Sequence, residues 1–187
     1  MARETGNVTL GNGRLYLDDI EVGHLKGIVE MSCVREMVEF KPADMTAATK
    51  LFVIKENAEL RATQAEFNSA ALRLAMGHEA AVPGSSTSLP AYQSDASFDS
   101  TAGSSYDYIS FGGYKTVQES ALRFEHTRPN GKKIVVILYQ AVSASEIVIP
   151  FDEENVTLYD VVYKGLADED RTAGDQIGVI IDEVVSS

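Results

Sequence analysis

The chain has 187 residues, enough for one well-filled domain and short for two. Its 28 Asp and Glu outnumber 16 Lys and Arg, a formal charge of −12, which argues against a protein whose task is to grip nucleic acid, since phosphate binding needs a cationic surface. One cysteine, Cys33, excludes an internal disulfide, and its apolar neighbours predict a buried, inert thiol.

In chain order, Val8-Thr9-Leu10, the turn Gly11-Asn12-Gly13 and Arg14-Leu15-Tyr16-Leu17 read as small strands about an Asn-Gly hairpin signal. Asp18-Asp19 and Gly23 punctuate the next connection. The residues from Ile28 to Phe40 fit two periods. With period two, Val29, Met31, Cys33 and Met37 oppose Glu30, Ser32 and Glu36, with a bulge-like break at Val34 and Arg35. With period 3.6, Ser32, Arg35, Glu36 and Glu39 make an equally good polar helical face. Lys41 to Thr46 contains Pro42 and predicts a turn. Lys50-Leu51-Phe52-Val53-Ile54 reads as a short buried strand, after which Ala58, Leu60 and Ala62 alternate with Glu59, Arg61 and Thr63. Thr63-Gln64-Ala65-Glu66 has capping-box spacing; Phe67, Ala70, Ala71 and Leu74 form a stripe, and Gly77 is a C′ residue, so a helix is expected over Glu66 to Met76.

Residues 78–105 are rich in Ser, Ala, Gly and Thr and predict a long surface loop. Strand patterns follow at Tyr106–Phe111 and Thr116–Thr127, the latter with Leu122 and Phe124 inward and Glu119, Arg123 and Glu125 outward. Arg128-Pro129-Asn130-Gly131-Lys132 is a hairpin turn. Ile134 to Tyr139 is apolar at both parities, as in a central strand covered on both faces. Glu146–Phe151 reads as a returning strand, and Val156–Leu166 and Ile177–Val184 as a final pair around a polar loop. The reading is a mainly β fold, a sandwich or barrel with one flanking helix, in a single domain over 1–187 with a C-terminal arm at about 152–187.

Catalytic signals are missing. His24, His78 and His126 are scattered without metal-site spacing, and no HExxH, CxxC, GxSxG, Walker or GxGxxG motif occurs. Asp168-Glu169-Asp170 with Gly174 and Asp175 lacks the glycine position and terminal glutamate of a calcium loop. No metal, cofactor or enzymatic activity is expected. The opening residues Met1–Gly6 carry no apolar h-region and no run approaches a membrane span, so the sequons at Asn7 and Asn155 are expected to be chance.

Three segments together resemble the major tail protein of tailed bacteriophages, the subunit of the tail tube. They are Leu15-Tyr16-Leu17 to Gly23, the two-strand unit running into the Glu66–Met76 helix, and the closing Glu146–Phe151, Val161–Leu166 and Ile177–Ile180. The resemblance implies a long strand for Ile28–Phe40. It also implies homo-hexameric rings stacked into a virion tail tube, partners at the tail tip, tape measure and terminator, and DNA passing without specific binding. An acidic lumen would repel phosphate, so Glu30, Glu36 and Glu39, with Glu119 or Glu125, are expected at the bore, and their outer or intersubunit placement is the competing expectation. Pro42, Asp44, Met45 and Thr46 are expected at inter-ring contacts, with Ala80–Ser105 and Asp152–Ser187 as further contact segments. The tube of a contractile injection system and a monomeric β-sandwich binding module are the alternatives.

Overall fold

The computed structural model describes residues 13–43, 46–47, 49–77, 109, 117–144, 146–151 and 158–183. Among the described residues, eight strands and one helix run β1 (Arg14–Leu17), β2 (Ile20–Glu21), β3 (Glu30–Phe40), β4 (Lys50–Gln64), α1 (Ser69–Ala75), β5 (Ser120–Thr127), β6 (Lys133–Ser143), β7 (Tyr159–Leu166) and β8 (Gly178–Asp182). The fold is mainly β with one helix, as expected. The strands join one antiparallel sheet in the order β2-β1-β5-β6-β7-β4-β3, with β8 also paired to β6.

Short-range chemistry sets the hairpins. Asp18 and Asp19 take φ of 46° and 64°, the left-handed pair a two-residue hairpin turn requires. The Asp18 carboxylate also accepts from the Ala121 amide at 2.7 Å, fastening this turn to β5. Gly131 at φ 82° closes the expected β5–β6 turn, with Arg128 N–H donating to the Lys132 carbonyl at 2.7 Å.

β6 is the central strand. One edge carries β5, and the other carries β7 at Gln140–Ser143 and β8 at Ile134–Leu138, end to end. The two C-terminal strands therefore do not pair with each other, contrary to expectation; both are drawn to the same long apolar strand. Val136, Leu138 and Ala141 are buried on its core face, whereas Val135, Ile137 and Tyr139 are half-buried, so cover on the second face is partial. Gly178 lets β8 approach, because a Cβ there would collide with the Ile137 carbonyl oxygen. Gly178→Ala is expected to cost about 1–3 kcal/mol of stability, read by denaturant titration.

The core lies between one sheet face and α1. Leu15, Leu17, Leu60, Ala62, Leu122, Tyr159, Val161 and Tyr163 meet Ala71, Leu72, Leu74 and Ala75 from the helix. Buried Gln64 donates to the Tyr163 hydroxyl at 3.0 Å. The helix starts later than its sequence pattern predicts. Thr63 and Gln64 are still β4, the Thr63 hydroxyl being taken by Asp160 at 2.5 Å. The cap is Asn68, whose side chain accepts from the amides of Ala70 and Ala71 at 3.1 and 3.2 Å. Phe67 is exposed, so Leu72 and Ala75 rather than Phe67 complete the buried stripe. Gly77 ends the helix as expected, at φ 72° with its amide donating to the Leu74 carbonyl at 2.9 Å.

Glu146–Phe151 forms no strand; Ile147 and Ile149 pack on the core from an irregular segment, and Phe151 is exposed. The expected strand at Val8–Leu10, the 78–105 loop and most of Tyr106–Phe111 lie outside the described residues, as do 152–157 and 184–187 of the C-terminal arm.

Candidate assembly interface

The strand expected at Ile28–Phe40 is β3, and it belongs to the most exposed part of the sheet. Among the described residues β3 pairs only with β4, from Glu30↔Arg61 to Phe40↔Lys50. β7 supports β4 only from Glu59 to Gln64. The stretch from Lys50 to Ala58 outruns it by about 30 Å at the usual rise of a strand. The result is a two-stranded arm standing off the core, its tip closed by Thr49, whose amide donates to the Phe40 carbonyl at 2.9 Å.

The arm is apolar where it should be polar. Val34, Met37, Val38, Phe40, Leu51, Phe52, Val53 and Ile54 are each 48–60% exposed. Lys50–Ile54 is thus not the buried strand its composition suggests: among the described residues only β3 flanks β4 at that level, and its other edge has no partner there. Cys33 is exposed for the same reason, against the expectation of a buried thiol. The register shifts between Glu36 and Met37, where Ile54 is the extra residue of β4, so the bulge falls two residues beyond the break read from the sequence. Isolated two-stranded ribbons are marginal in water, and apolar surface of this extent marks an interaction site.

Strand pairing assigns the expected acidic residues to faces. Leu60 and Ala58 on the core side pair with Met31 and Cys33, which puts Glu30 and Glu36 on the opposite face. Leu122 and His126 are buried on β5, which places Glu125 on that same opposite face. Alternation puts Glu39 on the core-side face, away from the other three. Glu119 is exposed one residue before β5. The shared face is not uniformly acidic: Glu30 lies across from Arg61, Glu36 from Lys55 and Glu59 from Lys164, and Glu125 binds Lys133 at 2.9 Å. Of the expected inter-ring residues, Pro42 is half-buried and Thr46 exposed near the arm's tip, while Asp44 and Met45 lie outside the described residues.

Ion pairs tie the arm's root to the sheet. Asp160 of β7 accepts from Thr63 and from Arg61 of β4, the latter at 3.0 Å, and these bonds hold its carboxyl below the ordinary aspartate value. The Tyr139 hydroxyl does the same for Asp175, Arg128 for Asp182, and Lys133 for Glu125. A value depressed by folding means the stabilisation is complete above the unfolded pKa and is lost as pH falls through the folded one. Thermal stability should therefore drop as the pH falls below the ordinary carboxylate range of about 4. Asp160→Asn should lower the melting temperature at neutral pH and flatten that slope, as measured by calorimetry across pH.

Sequence reasoning missed the arm's exposed apolar residues. Their signal was present, since Leu51-Phe52-Val53-Ile54 is apolar at both parities; it was indistinguishable from that of a strand buried within the chain. Among the described residues, no group of His, Cys, Asp and Glu could hold a metal ion.

The fold is similar to that of a sheath/tube terminator of an extracellular contractile injection system, PVC, in its extended state. The match has a TM-score of 0.50 at 9% identity and covers 98% of this chain and 100% of that one. The tube-terminating cap of the anti-feeding prophage AFP matches with a TM-score of 0.49 at 10% identity, again over 98% of this chain and 100% of the other. At these identities the likeness is one of fold. No family model and no curated protein matches the sequence.

Proposed function

We propose that this chain is a structural protein of a phage-tail-type tube, one that joins copies of itself into a closed ring rather than catalysing a reaction. The observation that carries the reading is the β3–β4 arm, which exposes apolar side chains on both faces and, among the described residues, ends the sheet on an unpaired strand edge. Edges of this kind invite uncontrolled pairing in a monomer and are satisfied when copies close a ring. The whole-chain fold likeness to a tube terminator supports a place in a tail.

The ring is a homo-hexamer in this reading, and two positions in a tail suit it. In the first, rings stack into the tube of a virion or of a contractile injection system. In the second, one ring closes the tube's end, and the likeness to a terminator across 98% of the chain favours this position. Tail tip, tape measure, and tube or sheath proteins are the corresponding partners. Electron microscopy and sedimentation velocity of the purified chain across concentration test the reading. Hollow stacks support the first position and single rings the second; a monomer at every concentration overturns both.

The bore is assigned to the face holding Glu30, Glu36 and Glu125. Arg61, Lys55 and Lys164 sit across from Glu30, Glu36 and Glu59, and Lys133 binds Glu125, so along these strands the face offers DNA no uncompensated positive strip; Lys50, across from Phe40 near the arm's tip, is the exception. Rings carrying Glu30→Lys and Glu36→Lys should retain DNA in low-salt co-sedimentation and release it as salt rises, while wild-type rings retain none. Equal retention by both would remove the bore assignment.

A further inference from the structure

The sheet forks where β7 ends. β7 and β8 lie end to end along one edge of β6, and of the two only β7 reaches across to β4. Past Leu166, no described strand stands between β8 and β4. A cleft of about 300 Å³ opens there, lined by Glu56, Ala58, Leu138, Ile177, Gly178 and Ile180 among others.

Both banks of the cleft are strand edges. The Tyr139 amide donates to the Ile177 carbonyl at 3.1 Å, and the Glu183 amide to the Lys133 carbonyl at 3.0 Å. Antiparallel pairing alternates, so Ile177, Val179, Ile181 and Glu183 turn their backbone groups toward β6, while Gly178, Ile180 and Asp182 turn theirs away. On β4, the Thr63 carbonyl accepts from Lys26 at 2.9 Å and the Ala65 amide donates to His24 at 2.8 Å, along the edge opposite β7. The same alternation carries the backbone groups of Glu56 to the β7 side, past the last β7 pairing at Glu59. None of these outward groups has a backbone partner among the described residues. One end of the cleft is the β7–β8 connection, through Ala167, Gly174 and Gln176. There Arg171 stacks over the Tyr139 ring at 3.3 Å and pairs with Asp175 at 2.9 Å and Asp168 at 3.5 Å. That leaves Glu169 and Asp170 exposed, with no ion pair to a described residue.

We propose that the fork is a strand-docking site for an extended segment of a different protein, apolar at alternate positions and basic at the end beside Glu169 and Asp170. Main-chain bonds along β8 and at Glu56 supply affinity, and the cleft receives every second side chain. The uncompensated carboxylates at one end fix the orientation. A second copy of this chain is a poor occupant. Each of its described strands already has a neighbour on at least one edge, so none can face both banks. Its unpaired Glu146–Phe151 segment carries an acid and no base. The docking site stands whether or not copies form a ring.

The probe is a dye-labelled peptide of alternating valine and threonine with lysines at its C-terminus, the end that meets the carboxylates when it pairs antiparallel to β8. Its fluorescence anisotropy should rise and saturate against dilute wild-type chain. Methylating alternate backbone amides of the peptide, or replacing its lysines by glutamates, should weaken binding at least about tenfold. Ile180→Pro should do the same with wild-type circular dichroism, because an edge strand tolerates proline where its N–H faces outward. Glu169→Lys with Asp170→Lys, at two exposed positions, should weaken binding and remove its salt dependence. No saturable binding, equal binding of the methylated peptide, or unchanged affinity in either variant overturns the proposal. Self-association that the peptide blocks and Ile180→Pro abolishes would give the fork to a second copy and overturn it as well. Peptide binding by a chain that never forms rings keeps the docking site and removes the ring reading alone.

Discussion

Val38→Asp combined with Phe52→Asp abolishes assembly and leaves the monomer folded: that is the expected result for the arm. Val38 and Phe52 are cross-strand partners, 48% and 53% exposed, on the strand pair that lacks support from β7. Burying each against a neighbour is worth about 1.5–3 kcal/mol. A carboxylate in its place reverses the sign, since an unpaired charge in an apolar contact costs several kcal/mol more. Every contact in a ring carries the penalty, so the concentration needed for assembly rises by more than about a hundredfold. Inside the monomer the same side chains touch little, and the thermal midpoint should stay within a few degrees of wild type. Sedimentation velocity and thermal scanning on one preparation separate the two effects. A variant that assembles normally would show that the arm is not the contact surface.

The second large effect is a contrast between two leucines of one strand. Leu60 is fully buried where β4 meets Met31 and Tyr163, and Leu51 is 59% exposed nine residues away. Leu60→Ala removes buried methyl groups from a core fixed on both sides and should cost about 2–5 kcal/mol. Leu51→Ala should change monomer stability by no more than about 0.5 kcal/mol and act on assembly instead. Denaturant titration of both variants checks this, and equal losses would contradict the arm's separation from the core.

Where one strand face is buried within the chain, the sequence was a good guide. Ala58, Leu60 and Ala62 alternate and are buried, the Asn130-Gly131 turn joins β5 to β6, and Gly77 ends the helix. Elements whose partners are distant in sequence were less legible. The Thr63–Glu66 spacing satisfies a local capping rule, but pairing with Asp160 and Tyr163, almost a hundred residues on, keeps Thr63 and Gln64 in β4. Apolar content signals burial without naming the partner, so Cys33 and Leu51–Ile54 read as core. The split of β6's edge between β7 and β8, which creates the fork, has no local signature at all. Face assignment was available from alternation, which separates Glu30 and Glu36 from Met31 and Cys33 and puts Glu39 with the latter, because the bulge is carried by β4 and leaves the parity of β3 intact.

The order of synthesis differs from the order of strands in the sheet. β7 lies between β6 and β4, yet it is made after both. Until Tyr159–Leu166 emerges, β2-β1-β5-β6 and β4-β3 are two half-sheets joined, among the described residues, by the Leu25–Gln64 bridge alone, and the side chains of Tyr159, Val161 and Tyr163 are missing from the core. Contacts this distant in sequence fold slowly, because a long loop must close before any of them forms. The arm's sticky ribbon is consequently translated well before the root that anchors it. A nascent chain passes through an interval in which its exposed apolar ribbon exists without a folded domain behind it, the condition that favours misassociation. Completion of β7 joins the halves, so the arm gains its anchored root only when Tyr159–Leu166 is in place.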